Sequence, residues 1–380
     1  MKKEVAITFP QMHEFGGGEI FCEYIVNLLV KKYKIDLFYY SNQQINKKLK
    51  INKKVNINPL KSKNPIVDFF CKRYIFLAQI YLIFYLAKKK YYIVISGAGE
   101  FFHESKCIQY IHHPFYSLNP KHYLSLGLKK RNILKIVLRF LISLIFRLIL
   151  ILNRKKYNKT FTLVNSKFIK KRFQSIYKKN KTTILYPTFK IQDKNFCNLR
   201  YFNKKNNDFV ILGRVSRDKN TIEAINFFIN FKKNYPELNL GKLHVIGPVE
   251  KSLKKLILNI KKTNSDCKFY GYLKLKKRDK ILKKSKYGLH FFIGEHFGRS
   301  VLEMQKNGII VFCHNSGGAM EIIANHYQKF ESKEELNKNL KIVLSSNKIN
   351  IKILREINNK IKMYNDKKFK QNFLKIINEY

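Results

Sequence analysis

Short apolar runs alternate with longer stretches whose apolar residues fall three and four positions apart. In the first half, residues 5–9, 35–40, 55–57, 92–95, 108–111, 160–164 and 183–185 read as strands, and residues 20–30 carry helical periodicity. Alternation of this kind predicts an α/β fold with a parallel sheet. Around residues 198–207 the chain turns polar and aperiodic, as an interdomain linker would. The pattern then restarts: strand 209–212, helix 222–231, strand 243–246, helix 252–260, strand 268–270, helix 277–284, and strands 289–293 and 309–313. Beyond Ser332 three Lys-rich helical segments follow without strands. The expected organisation is a first domain over 1–200, a second over 201–330 and a helical tail over 331–380.

Residues 133–152, ILKIVLRFLISLIFRLILIL, depart from this pattern. They match the ~20 residues of a membrane span. Arg131, Lys135, Arg139, Ser143 and Arg147 nevertheless recur every fourth position and form one polar ridge. Each Arg or Lys near a bilayer centre costs ~2.5–3.5 kcal/mol, so a span is disfavoured. Two readings stay open: a helix lying on an anionic membrane, or a domain helix whose apolar sides pack inward and whose basic ridge is solvated. The stretch 69–86 has the same character.

Composition adds bounds. At 380 residues two domains are the prior, and 45% hydrophobic residues suffice for packed cores. Lys and Arg number 76 against 25 acids, a net charge of +51, which points to anionic partners: a lipid surface, a pyrophosphate substrate or nucleic acid. No helix-turn-helix, zinc-finger or RNA-binding aromatic motif accompanies the charge, so nucleic acid is not expected as a partner. The six cysteines are scattered without metal spacing and read as reduced thiols of a cytoplasmic protein. No signal peptide is expected, because the apolar run after Lys2 and Lys3 is too short.

Three places carry chemistry. Gly16, Gly17 and Gly18 follow the first strand and open a helix, where backbone N–H groups can approach a phosphate. Gly213 and Arg214, with Lys219, follow the first strand of the second half, at a sheet edge where ligands of open α/β sheets bind. Residues 291–318, FFIGEHFGRSVLEMQKNGIIVFCHNSGG, combine a Gly loop with a helix starting near Arg299 and Ser300. Glu295 on the loop and Glu303 one turn into the helix stand eight positions apart.

EHFGRSVLE, with Glu295 and Glu303, resembles the E-x7-E signature of glycosyltransferase family 4, the retaining GT-B enzymes. LVNSKFIKKRF, LGRVSRDKN, NGIIVFCHNSGG and YIHHP, with His112, resemble further segments of that family. The combination is most similar to α-1,2-mannosyltransferases that extend lipid-linked oligosaccharides. The resemblance implies two Rossmann-like domains facing each other across a cleft, the first for acceptor and the second for donor. Glu303 would hold the nucleotide ribose and Glu295 the donor sugar. Arg214, Lys219 and N–H groups at Gly17, Arg299 and Ser300 would hold the diphosphate, with Gly18, Phe297 and Gly298 shaping the donor loops. His112 would lie beside the anomeric carbon. No cofactor and no metal are expected. The expected partners are a nucleotide sugar, a glycan or lipid-linked acceptor and an anionic membrane surface on whose cytosolic face the enzyme would sit. The last helix is expected to cross back to the first domain. An epimerase of the same fold is the enzymatic alternative, and a basic nucleic-acid- or membrane-binding protein without catalysis is the alternative from another class.

Overall fold

The computed structural model describes residues 2–12, 16–40, 45–117, 133–178, 181–187 and 199–380. The chain forms two compact units: Met1–Leu124 with Leu128–Pro187 and Phe369–Tyr380, and Thr188–Lys368.

The first unit is built on seven parallel strands: β1 (Glu4–Thr8), β2 (Lys34–Tyr40), β3 (Asn56–Leu60), β4 (Ile93–Ser96), β5 (Lys106–Ile111), β6 (Phe161–Val164) and β7 (Thr182–Ile184), in the order 3-2-1-4-5-6-7. Central strands covered on both faces need continuous apolar runs, and Val5-Ala6-Ile7 and Ile93-Val94-Ile95 supply them fully buried. The helices are α1 (Gly17–Leu29), α2 (Pro65–Arg73), α3 (Ile75–Leu86), α4 (Ile133–Leu152), α5 (Arg154–Asn158) and α6 (Lys167–Ile176). The stretch 69–86 is therefore two helices. Asn64 caps α2 by accepting from Ile66 and Val67 N–H, and Pro65 presets its first turn. Tyr74, extended, separates α2 from α3. From the far end of the chain, Phe369 sets its ring edge against Phe21 and Tyr24, and Tyr380 packs on Phe161.

Helix α4 corrects the second sequence reading of 133–152, the one in which the basic ridge is solvated and the apolar sides pack inward. Its polar ridge faces inward. Ser143 is 1% exposed and bonds back to the Arg139 carbonyl, Arg139 lies over the Phe76 ring at 4.9 Å, and Arg147 over Tyr177 at 4.7 Å. The apolar side is the one turned outward. Arg131 and the Lys135 side chain lie outside the described residues.

The second unit has six parallel strands: β8 (Asn206–Leu212), β9 (Leu243–Ile246), β10 (Cys267–Gly271), β11 (Ser285–His290), β12 (Ile310–His314) and β13 (Lys329–Phe330), ordered 10-9-8-11-12-13. Its helices are α7 (Leu199–Asn203), α8 (Thr221–Asn234), α9 (Lys254–Thr263), α10 (Leu275–Lys284), α11 (Arg299–Lys306), α12 (Lys333–Ser345) and α13 (Asn347–Ile361), and α14 (Asp366–Glu379) ends the chain. The described part of the expected linker is folded: Phe202 is buried against Tyr287, and the buried Lys205 ammonium donates to the carbonyls of Ser285, Asn307 and Gly308. A chain-scale polarity count hides this because Lys205 is polar and interior at once. Asn198 lies outside the described residues. The strand expected over 289–293 ends instead at His290, and Phe291–Ile293 leads into the loop.

In each sheet the strand order reverses once, between β1 and β4 and between β8 and β11. The crevice beyond the carboxyl ends of such a pair is where ligands of doubly wound sheets bind.

Candidate functional site

Beyond the ends of β8 and β11, Leu212, Gly213, Arg214, Lys219, His290 and Phe291 line a small cleft. Asn220, in the left-handed region at φ 49°, turns the β8 loop into α8 and donates its amide to the Phe291 carbonyl, tying the two loops together. Lys219 reaches across to Glu295, Nζ to Oε2 3.6 Å, and lies 4.2 Å over the Phe292 ring. His290 Nε2 stands 3.4 Å from the same oxygen, while the His296 N–H donates to Oε1 at 3.0 Å. Burial by itself would raise the Glu295 carboxyl, but the Lys219 charge and the His290 contact prevail and hold it well below the usual range. Glu295 is thus a largely covered, ion-paired carboxylate and not a solvated loop acid.

The loop around Glu295 is pinned from β12. Gly318 N–H donates to the Glu295 carbonyl at 2.6 Å, and Ser316 Oγ accepts from Gly294 N–H and contacts His314. Gly317, at φ 76°, passes so close that a Cβ there would lie 2.4 Å from the Glu295 carbonyl oxygen. This is why position 317 of the stretch is a glycine.

Gly298 begins α11 in a left-handed conformation at φ 97°, and Phe297 is buried with its ring edge to Tyr364. Ser300 stands in the first turn, whose N–H groups lack helical acceptors. One turn on, Glu303 pairs with Arg278 of α10. Burial raises the Glu303 carboxyl, although Arg278 and Arg299 pull against it. Lys306 on the same helix donates to the Tyr364 carbonyl at 3.0 Å, and burial lowers its ammonium to about 7. Met304, Gln305 and Lys306 are all buried, so this helix face is filled by large side chains. Arg214 takes no part in the Lys219–Glu295 pair: half exposed, it pairs with Asp218 at 3.2 Å.

In the first unit, Gly18 and His112 come together. A Cβ on Gly18 would meet Phe9 Cζ at 2.9 Å and His112 Nε2 at 3.9 Å. Gly16 is the extended N-cap of α1, and Gly17 is its first helical residue. The imidazole of His112 stands edge-on to Phe21 and Tyr110, and its carbonyl accepts from the Asn165 amide. His13 and Glu14 lie outside the described residues.

Sequence reasoning did not single out four residues that shape these places. His290 and Arg278 complete the environments of Glu295 and Glu303, and only tertiary contact reveals them. Ser316 latches the loop. Glu100, fully buried after β4, accepts from Phe115 and Tyr116 N–H and from the Tyr177 hydroxyl at 2.8 Å, holding the loop that follows His112. Its position in SGAGE, an acid after two glycines at a strand end, was the available signal. Among the described residues no three His, Cys, Asp or Glu side chains form a metal-ligand group, and no helix is long and apolar enough to cross a membrane. Cys22, Cys71, Cys107, Cys267 and Cys313 are free and buried, and Cys197 lies outside the described residues.

Residues 199–363 match the family model described as Glycosyl transferases group 1. Over 235 residues, 56% of this chain, the sequence is 27% identical to the GDP-Man:Man(3)GlcNAc(2)-PP-Dol alpha-1,2-mannosyltransferase of Homo sapiens. The match spans 47% of that relative, so the chain corresponds to about half its length. Among solved structures, the sucrose-phosphate synthase of Thermosynechococcus elongatus superposes with a TM-score of 0.70 at 11% identity, over 100% of this chain and 99% of that one. HepE of Anabaena, solved in complex with UDP and glucose, gives 0.66 at 13% identity over 100% of both chains. The two parallel sheets and their helices are the GT-B architecture of these neighbours.

Proposed function

We propose, from the group 1 glycosyl transferase domain that residues 199–363 form and from the GT-B fold of the whole, that the protein is a retaining family 4 glycosyltransferase. One observation carries the reading: two largely covered acids, Glu295 before the N-terminus of α11 and Glu303 one turn into it, each stand beside their own cation. In this proposal Glu303 accepts from the ribose hydroxyls and Glu295 from the donor sugar. Lys219, Arg214 and the N–H groups at Gly17, Arg299 and Ser300 counter the charge that grows on the departing diphosphate. Preorganised donors of this kind favour the transition state more than the ground state. Gly18 keeps the first unit's glycine turn open beside His112, which borders the anomeric carbon. The acceptor hydroxyl attacks from the leaving-group face and the donor phosphate takes its proton, without a metal.

The mannosyltransferase relatives support mannose from GDP-mannose as donor, and a lipid-linked or cell-surface glycan as acceptor at the cytosolic face of a membrane. A thermal-shift panel of nucleotide sugars tests the donor: the true one at 100 times its Kd stabilises by ~2.7 kcal/mol. GDP-mannose is expected to stand out. A panel in which no nucleotide sugar shifts the transition overturns the reading.

A further inference from the structure

Helix α4 has its apolar side exposed and its arginines turned inward, the reverse of what a soluble domain requires. Val137, Leu141, Leu144, Ile145, Leu148 and Ile151 fall within an arc of roughly 120° at 100° per residue, and that arc contains no charge. Leu141, Ile145 and Leu148 are 50%, 53% and 55% exposed. Opposite them Ile142, Phe146 and Leu150 are buried, with the Phe146 ring stacked on Tyr116 at 3.7 Å.

The stripe does not stand alone. On α2, Ile66, Phe69 and Phe70 are exposed too. Partly beneath the surface the two helices are tied together: Phe69 to Phe70 at 5.5 Å, Phe70 stacked on Tyr74, Tyr74 to the buried Phe76, and Arg139 of the inward ridge of α4 over Phe76. Scattered apolar side chains are ordinary on a surface, whereas a contiguous patch marks a docking face.

Its rim decides the occupant. Exposed Lys72 and Arg73 end α2, Lys61 and Lys63 precede it, and exposed Arg154 and Lys155 follow α4 directly. The one acid of α2, Asp68, is buried and spent on Lys72 and Tyr40. A second copy of a chain with net charge +51 would bring like-charged rims together, whereas an anionic bilayer offers hydrocarbon to the stripe and counter-charge to the rim. We propose that the α4 stripe, with the α2 aromatics, inserts into the acyl boundary of an anionic membrane, so that the first unit is held by apolar insertion and its basic rim only strengthens the hold. This deepens the membrane part of the proposed function and rests on that reading for the choice of a lipid surface. The inward arginines do not face the bilayer in this arrangement. They are packed on Phe76 and Tyr177, and Tyr177 is also a donor to Glu100, which holds the loop after His112.

Flotation of the full chain with vesicles tests this, using phosphatidylcholine alone and phosphatidylcholine with one third phosphatidylglycerol. Each is run at ~0.1 M and ~1 M salt, between which the screening length falls from about 10 to about 3 Å. The wild type is expected to stay bound to the anionic vesicles at high salt, at reduced level. Leu144→Asp/Leu148→Asp is expected to lose at least tenfold at both salts, and Arg154→Glu/Lys155→Glu to lose only at low salt. Both variants change exposed positions. Circular dichroism and a thermal melt like those of the wild type, both without ligand, show them folded and keep this test separate from that of glycosyl transfer. Full retention by the leucine variant, or complete release of the wild type by salt, overturns the proposal. So does a wild-type dimer in light scattering that the leucine variant converts to monomer, since that would assign the face to self-association.

Discussion

At the β1/β4 junction of the first unit, the residues past the strand ends are glycines, aromatic rings and the hydrogen-bonded Glu100. At the β8/β11 junction of the second, they are ion pairs: Lys219 with Glu295, Arg278 with Glu303, Arg214 with Asp218. Both sheets have the same order of strands about the reversal, so topology explains the location of both places and neither of their chemistries. The first surrounds His112 with rings and a close glycine, a shape-selective corner. The second holds two carboxylates in place with cations.

The comparison breaks most sharply at Glu303. Glu303→Gln keeps the volume and removes the charge, and is expected to weaken donor binding by about a hundredfold, ~2.7 kcal/mol, in calorimetric titration. Retained affinity would mean the second unit does not read the ribose. Because burial raises its carboxyl, donor affinity should fall on acidification at a higher pH than an ordinary glutamate would produce.

Gly317→Ala comes next. A left-handed φ and a Cβ at 2.4 Å from a backbone oxygen should cost about 1–3 kcal/mol of stability, seen in urea unfolding, by displacing the Glu295 loop. In the first unit, His112→Asn is expected to lower kcat about tenfold, near 1.4 kcal/mol, with donor Kd little changed. Equal losses in both parameters would erase the division of labour between the two corners.

A further prediction concerns Lys306, whose folded-state ammonium is lowered to about 7 from an unfolded value of 10.5. Between those values the unfolded chain binds more protons, so stability should rise with pH from about 7 toward 10. Lys306→Met should flatten that rise in thermal melts across the window. An unchanged slope would assign it to other groups.

Much of this was legible in the chain. The alternation of apolar runs and helical stretches dictated two parallel α/β sheets, because strands buried on both faces must be continuously apolar and helices covering them must be amphipathic. Glycines at 16–18, 294, 298 and 317 marked the loops and helix starts, and at 294, 298 and 317 a positive φ accounts for them, so the loops were visible before any contact was known. Glu295 and Glu303 were visible from their spacing. Their partners were not: Arg278 and His290 lie 25 and 5 positions away along the chain, and ion pairs across a fold leave no local period. The same limit governed Lys205, polar and interior, and helix α4. Its ridge of arginines was plain in the sequence, since a period of four is a local property. Which way the ridge faced depended on the rings of Phe76 and Tyr177, residues far away in the chain, and only the tertiary structure turned the arginines in and the leucines out.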